Sequence, residues 1–247
     1  MRDMLAVIVA AGQGRRMMPL TASSPKPMLK IGNQPLIQRS LRALAKIGIK
    51  GVVVVTGYKR ELVERHIPCR SLDIIFQFNP FFRETNDLAS LWFARPYVER
   101  KDFMYLHGDL LYHPEMLRLC IDGPETGMLY DSSAGKNDHE AMKVLVRKGR
   151  YVKSSKKLLP RVSTGEFVGI CKFSASAGRL LLDEAETLLG QGNVMAYDTE
   201  ALNRIAADTP IHAIDVAGLP WIEIDSPCDL SRANEKILPR ISKNFRL

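Results

Sequence analysis

Met4–Ala10 is an unbroken apolar run that gives way at once to the glycine-rich stretch Ala11-Gly-Gln-Gly14. A strand with one wet face alternates apolar and polar side chains. A continuous run of this length entering a glycine turn therefore reads as a parallel strand buried on both faces. Pro35–Ile47 follows with Leu36, Ile37, Leu41, Leu44 and Ile47 at helical spacing, stopped by Gly48. Gly51–Thr56 is a second buried strand, Glu61–Ile67 a helix and Asp73–Phe78 a strand. Asp87–Tyr97 is a helix capped by Asn86 or Asp87, and Asp102–His107 a strand that ends at Gly108-Asp109. Strands and helices alternating at this pitch predict crossover connections and a doubly wound α/β layer on a mixed, mainly parallel sheet.

The second half changes pattern. Glu140–Arg147 and Tyr151–Ser155, joined around Gly149, predict an antiparallel hairpin, with strand Phe167–Phe173 after it. Helices at Ala175–Leu189 and Tyr197–Ala207, short strands at Ile211–Asp215 and Trp221–Ile224, and a last helix from Pro227 complete the reading. With 247 residues, 46% hydrophobic, and no linker or repeat, one domain is expected, spanning 1–247. Residues 113–247 then read as an antiparallel extension of the sheet begun in residues 1–112.

Charge and cysteine usage narrow the function classes. No apolar run approaches the roughly 20 residues that span a bilayer. The first run is flanked by Asp3 and by Gly12, Gly14, Arg15 and Arg16, which argues against a signal peptide. Cys69, Cys120, Cys171 and Cys228 lie far apart, without metal-site spacing, and read as reduced thiols of a cytoplasmic protein. The net charge of +8 is concentrated between Lys143 and Arg161, where eight Lys or Arg occur and no acid. That stretch suits phosphate-rich ligands. It has Tyr151 as its lone aromatic and no nucleic-acid motif, so a small phosphorylated ligand is favoured over RNA, and a solvated basic hairpin is the plain alternative.

The chemistry sits at strand ends. Ala10-Ala-Gly-Gln-Gly-Arg-Arg-Met-Met-Pro-Leu-Thr21 directly follows the first strand. Its glycines let backbone N–H groups approach an anion, but it lacks the third glycine of a dinucleotide fingerprint and the Gly-Lys-Ser/Thr of a P-loop. Arg15, Arg16 and Lys26, the last stiffened between Pro25 and Pro27, add the fixed positive charge that a triphosphate under attack requires. Asp109 follows another strand and should project from the same edge. Glu223 and Asp225, two apart on a strand, face one way. Carboxylates from two strand ends suit Mg²⁺, with Asp225 alternatively a helix cap. The histidines, His107 included, read as packed or unpaired residues.

Together these segments resemble the sugar-nucleotidyltransferase superfamily across nearly the whole chain. That likeness implies a Rossmann-like nucleotidyltransferase fold in which Ala10, Ala11, Gly12 and Gly14 bind the NTP through backbone. Arg16 would be the catalytic arginine, Arg15 a variable position and Lys26 the lysine on the reacting phosphates. Asn86-Asp-Leu-Ala-Ser90-Leu, Tyr197-Asp198 and Glu223-Ile-Asp225-Ser-Pro-Cys-Asp229 narrow the resemblance to bacterial choline-phosphate and phosphonate cytidylyltransferases. It implies CTP and Mg²⁺, with Asn86 and Ser90 near base and ribose. Asp109 with Glu223 or Asp225 would hold the metal. Asp198 would face the acceptor's polar head beside Tyr197, with Lys156 or Lys157 on its phosphate and Gly165–Gly169 lining its side. Tyr197 stands where the choline enzymes carry Trp.

The expected partners are thus an NTP and a small phosphorylated or phosphonylated substrate, without nucleic acid or membrane. Oligomeric state is not legible, and a homodimer stays open. A sugar-1-phosphate or inositol-phosphate transferase, or a non-catalytic nucleotide-binding regulator, are the alternatives.

Overall fold

The computed structural model describes residues 4–67, 71–135 and 137–244; Cys69 lies outside them. Its first half alternates strand and helix: β1 (Leu5–Ala10), α1 (Leu36–Lys46), β2 (Gly51–Thr56), α2 (Arg60–His66), β3 (Asp73–Phe78), α3 (Asp87–Phe93), β4 (Phe103–His107) and the short β5 (Leu110–Tyr112). The second half continues with α4 (Glu115–Asp122), β6 (Gly127–Asp131), β7 (Lys143–Arg147), β8 (Arg150–Ser155) and β9 (Gly165–Phe173). Then come α5 (Ala175–Gly190), α6 (Asp198–Ile205), β10 (His212–Asp215), β11 (Trp221–Glu223) and α7 (Pro227–Arg232).

Nine strands form one sheet in the order β3-β2-β1-β4-β9-β6-β10-β8-β7, and β9 also pairs with β7. The β3, β2, β1 and β4 pairings are parallel, and every residue of β2 is buried, as continuous apolar strands under two helical layers must be. From β9 onward antiparallel pairing dominates, with β10 parallel to β6 as the exception. Helix α1 buries Ile37, Leu41 and Leu44 against the sheet, each contributing on the order of 2 kcal/mol.

Three differences from the sequence reading have physical causes. The helix expected over 87–97 breaks at Ala94, just before Pro96, and resumes as a short turn over Arg95–Val98. Helix α4 and strand β6, eight and five residues long, are too short for a period to stand out in sequence, yet β6 lies inside the sheet. The basic hairpin is not simply solvated, since Lys143 is buried and its Nζ donates to the Lys156 carbonyl at 3.0 Å.

A third hydrophobic cluster, apart from those on the two sheet faces, positions the site. Met17, Leu36, Leu111, Ile222, Ile224 and Ile237 pack together, tying the glycine loop to the C-terminal segments. Two-stranded pairing of β5 with β11 sets Leu110 opposite Glu223. Residues more than a hundred positions apart are thereby brought to one strand end.

Candidate active site

A cavity of about 350 Å³ opens at the carboxyl ends of β1 and β4, where open α/β sheets bind ligands. The glycine loop forms one wall. Gly14 sits at φ 60°, a left-handed conformation that favours glycine, and Thr21 Oγ1 donates to its carbonyl at 2.9 Å. One helical turn later Met17 is wholly buried, which leaves Arg15 and Arg16 on the surface.

Lys26 is the centre of the charge arrangement. Its Nζ donates to Asp109 Oδ2 and to Asp225 Oδ1, both at 2.7 Å. Arg16 Nη2 reaches the other Asp225 oxygen at 2.8 Å. Ile224 N–H donates to the Asp109 carbonyl at 3.0 Å, locking the two strand ends that supply these acids. Burial works to lower the Lys26 ammonium, but Asp109, Asp225 and Glu223 outweigh it and hold it above its ordinary value. Burial likewise works to raise Asp109, and Lys26 with His107 outweighs it, holding the carboxyl below the usual range. Glu223 is pushed up to about 7, by burial first and then by Asp109 and Asp225.

Glu223, Asp109 and His107 each place one ligand atom within 4.8 Å of the others. Two carboxylates at a buried strand end, with one carrying a raised proton affinity, form a donor set that suits Mg²⁺. Asp225 is engaged instead by Lys26 and Arg16. The helix after it is capped by Ser226, with Asp229 completing a capping box, so Asp225 is not the cap.

Two further walls complete the cavity. On one, Asn86 caps α3 through its Oδ1, and the buried Ser90 accepts from Asn79 Nδ2 at 3.1 Å. Phe82 and Thr85 stand beside them. On the other, Tyr197 starts α6 and Lys156 Nζ lies 5.3 Å from the centre of its ring. Glu140 links the walls across the mouth, 3.4 Å from Lys156 and 3.7 Å from Arg16.

Beneath lies a buried polar group. His107 Nε2 lies 2.9 Å from Asp198 Oδ2, and Asp198 N–H donates to Asp87 Oδ1 at 3.0 Å. Burial works to lower the imidazole, but Asp198 outweighs it, raising His107 to about 10. Asp87 is raised to about 8, by burial and then by Asp198. Room for the His107 ring comes from a bulge in β9: Gly169 has φ +82°, and a Cβ there would stand 2.8 Å from His107 Nδ1.

Arg16, Lys26, Ala11, Gly12, Gly14, Asn86, Ser90, Lys156, Tyr197, Asp198, Asp109, Glu223 and Asp225 all line this cavity. Ala10 is buried at the end of β1 and does not line it. His107 corrects the sequence reading, being a cavity residue paired with Asp198 rather than plain packing. Its place at the last residue of β4, two before Asp109, was the available signal. Asp87, in sequence a candidate cap, is a cavity residue, and Glu140 and Met142 reach the cavity from the loop before β7, which begins at Lys143 and not at Glu140. Phe167, inside the Gly165–Gly169 segment, lines it.

The family model described as "Nucleotidyl transferase" matches residues 5–133, more than half of the chain. The 2-aminoethylphosphonate cytidylyltransferase of Lancefieldella rimae is 26% identical over 236 residues, covering 92% of this chain and 90% of that protein. The bifunctional IPC transferase and DIPP synthase of Rubrobacter xylanophilus is 29% identical over 236 residues, covering 94% of this chain and 52% of that protein. Several of the curated relatives run on beyond the match, the chain spanning about half their length. Among solved structures, the inositol-1-phosphate CTP transferase of T. maritima superposes with a TM-score of 0.82 at 22% identity, over 99% of both chains. At that identity the likeness is one of fold.

Proposed function

Because this chain belongs to the nucleotidyl transferase family, we propose that it transfers the nucleoside monophosphate of an NTP, CTP by preference, to a small phosphorylated or phosphonylated acceptor with a cationic head. The observation that carries this reading is Lys26, held between Asp109 and Asp225 with Arg16 on the far oxygen, beside a left-handed glycine loop. Fixed cations and backbone N–H groups at a strand end are what an α-phosphate under attack needs.

An acceptor phosphate or phosphonate oxygen attacks the α-phosphorus. The new P–O bond forms as the bond to the β-phosphate oxygen breaks, and pyrophosphate leaves with the electron pair. The attacking oxygen is already an anion at neutral pH, so no general base is required. Arg16 and Lys26 offset charge on the transferring and leaving groups, and Lys156 is placed to meet the acceptor's anion. Asp109 and Glu223 would hold Mg²⁺, which when bound supplies further positive charge to the triphosphate.

The acceptor's class rests on the wall that faces Lys156. Tyr197 offers an aromatic face to a cationic head, as the likeness to choline-phosphate and phosphonate cytidylyltransferases suggests, and Asp198 lies behind it with its carboxylate on His107. Lys156 already covers the Tyr197 ring, which favours an aminoalkyl phosphonate over phosphocholine. Inositol phosphate is the second reading, supported by the fold neighbour. Pyrophosphate release, measured with four NTPs crossed against 2-aminoethylphosphonate, phosphocholine, inositol 1-phosphate and glucose 1-phosphate, tests it. CTP with 2-aminoethylphosphonate is expected to be fastest. A sugar phosphate or UTP leading the panel would overturn the assignment.

A further inference from the structure

We propose that the chain carries a second small-molecule site, separate from the cavity above, for a small organic anion: an apolar body about the size of one ring with a phosphate or carboxylate at one end. The site is a cavity of about 210 Å³ between α1, β5 and Ile241. It shares no lining residue with the catalytic cavity, although Asp109 of one is joined directly to Leu110 of the other.

Its chemistry is that of an anion receptor with an apolar wall. Arg39, Arg42 and Lys46 stand at i, i+3 and i+7 of α1, hence on one helix face, and no carboxylate lines the cavity among the described residues. Leu110, Leu111 and Ile241 form the apolar side. One buried polar atom of a lining residue, Arg39 Nε, has no hydrogen-bond partner among the described residues, while Arg39 Nη2 donates to the Ile31 carbonyl. Tyr112 is only 7% exposed, and its hydroxyl meets the Ser40 side chain at the cavity wall. Buried donors left unmade are costly, which marks a place completed by something from outside the chain. Burial and the neighbouring Arg42 also lower the Arg39 guanidinium. The volume sets the size, since drug-sized ligands occupy cavities of roughly 300 Å³ or more.

The test is calorimetric titration of the full chain with phenyl phosphate, which carries one ring and one dianion. Wild type and Lys156→Ala, altered in the catalytic cavity, are expected to bind alike. Arg42→Glu, on an exposed rim position, should weaken binding about tenfold or more, equal to 1.4 kcal/mol. Tyr112→Phe should weaken it severalfold, and Ala43→Phe, which fills the cavity, should remove it. Equal affinity in wild type and Arg42→Glu, loss of binding in Lys156→Ala, or no binding to wild type would each overturn the proposal.

Discussion

Replacing Lys26 by Met removes one positive charge from between two carboxylates while keeping most of the side chain's volume. The Lys26 side chain is 12% exposed, and those of Asp109 and Asp225 are 22% and 27% exposed, so the contact belongs with buried ion pairs and not with surface ones. Breaking a buried pair from one side costs about 3–5 kcal/mol, against at most about 1 for an exposed pair. The partial exposure of both acids argues for the lower end, about 3 kcal/mol, or roughly 6–12 °C in Tm for a chain of this size. Thermal unfolding followed by circular dichroism at pH 8 in EDTA reads the loss. Added Mg²⁺ should recover part of it by returning positive charge to Asp109 and Glu223. The pH dependence has a definite sign. In wild type Asp109 is held low, so its stabilisation is present above the ordinary Asp range and is lost as pH falls through its folded value. Without Lys26, Asp109 and Glu223 take up protons more readily when folded, and Glu223 stands at about 7 even with the lysine in place. The deficit of the variant should therefore narrow between pH 8 and about pH 5.5. A loss below about 1 kcal/mol, or one that fails to narrow on acidification, would refute the account of Lys26 as the counter-charge of a buried acid cluster.

Asp109→Asn should leave the fold intact and cut the rate of pyrophosphate release by roughly 10²-fold or more; near-normal turnover in saturating Mg²⁺ would remove it from the metal site. Arg16→Ala should lower kcat far more than it raises the KM for NTP, with Arg15→Ala mild, since Arg15 reaches only Gln13 among the contacts seen, at 2.7 Å. If Arg15 is the more damaging, the loop register is misread. Asp87→Asn should stabilise the substrate-free protein, because a carboxyl raised to about 8 costs the folded state progressively more as pH rises from the ordinary Asp value toward 8. Its advantage in urea midpoint should widen from pH 5 to pH 8, and a constant gap would contradict this. Gly169→Ala should cost about 1–3 kcal/mol and raise the acceptor's KM, whereas Gly149→Ala, at φ +72° with open space around it, carries the backbone strain alone. Equal costs at the two glycines would mean that contact with His107 adds nothing.

The strand–helix alternation of the first half, the glycine loop with its arginines, and the acids after β4 and in β11 were all legible as residues. Local periodicity and turn chemistry depend on neighbours in sequence, so Asp73–Phe78 could be placed to the residue. What lay beyond reach was every relation set by long-range packing. The β5–β11 pairing and the Met17 cluster decide that Asp225 holds Lys26 and Arg16, leaving Glu223 with Asp109 and His107. The sequence reading put both acids on one strand, but β11 ends at Glu223 and Asp225 lies two residues past it, a division of labour that no spacing in the chain encodes. The same holds for β6, whose Gly-Met-Leu-Tyr-Asp is unremarkable alone and becomes a strand inside the sheet because β9 and β10 flank it. His107 is the clearest case. Whether a histidine on an apolar strand is packing or site depends on what stands opposite, and Asp198, Asp87 and the bulge at Gly169 arrive from three other elements. Sequence alone determined which chemical groups the chain owns and which strand ends present them. Tertiary structure decided their pairing, because burial and charge compensation act between side chains whose distance only the folded sheet defines.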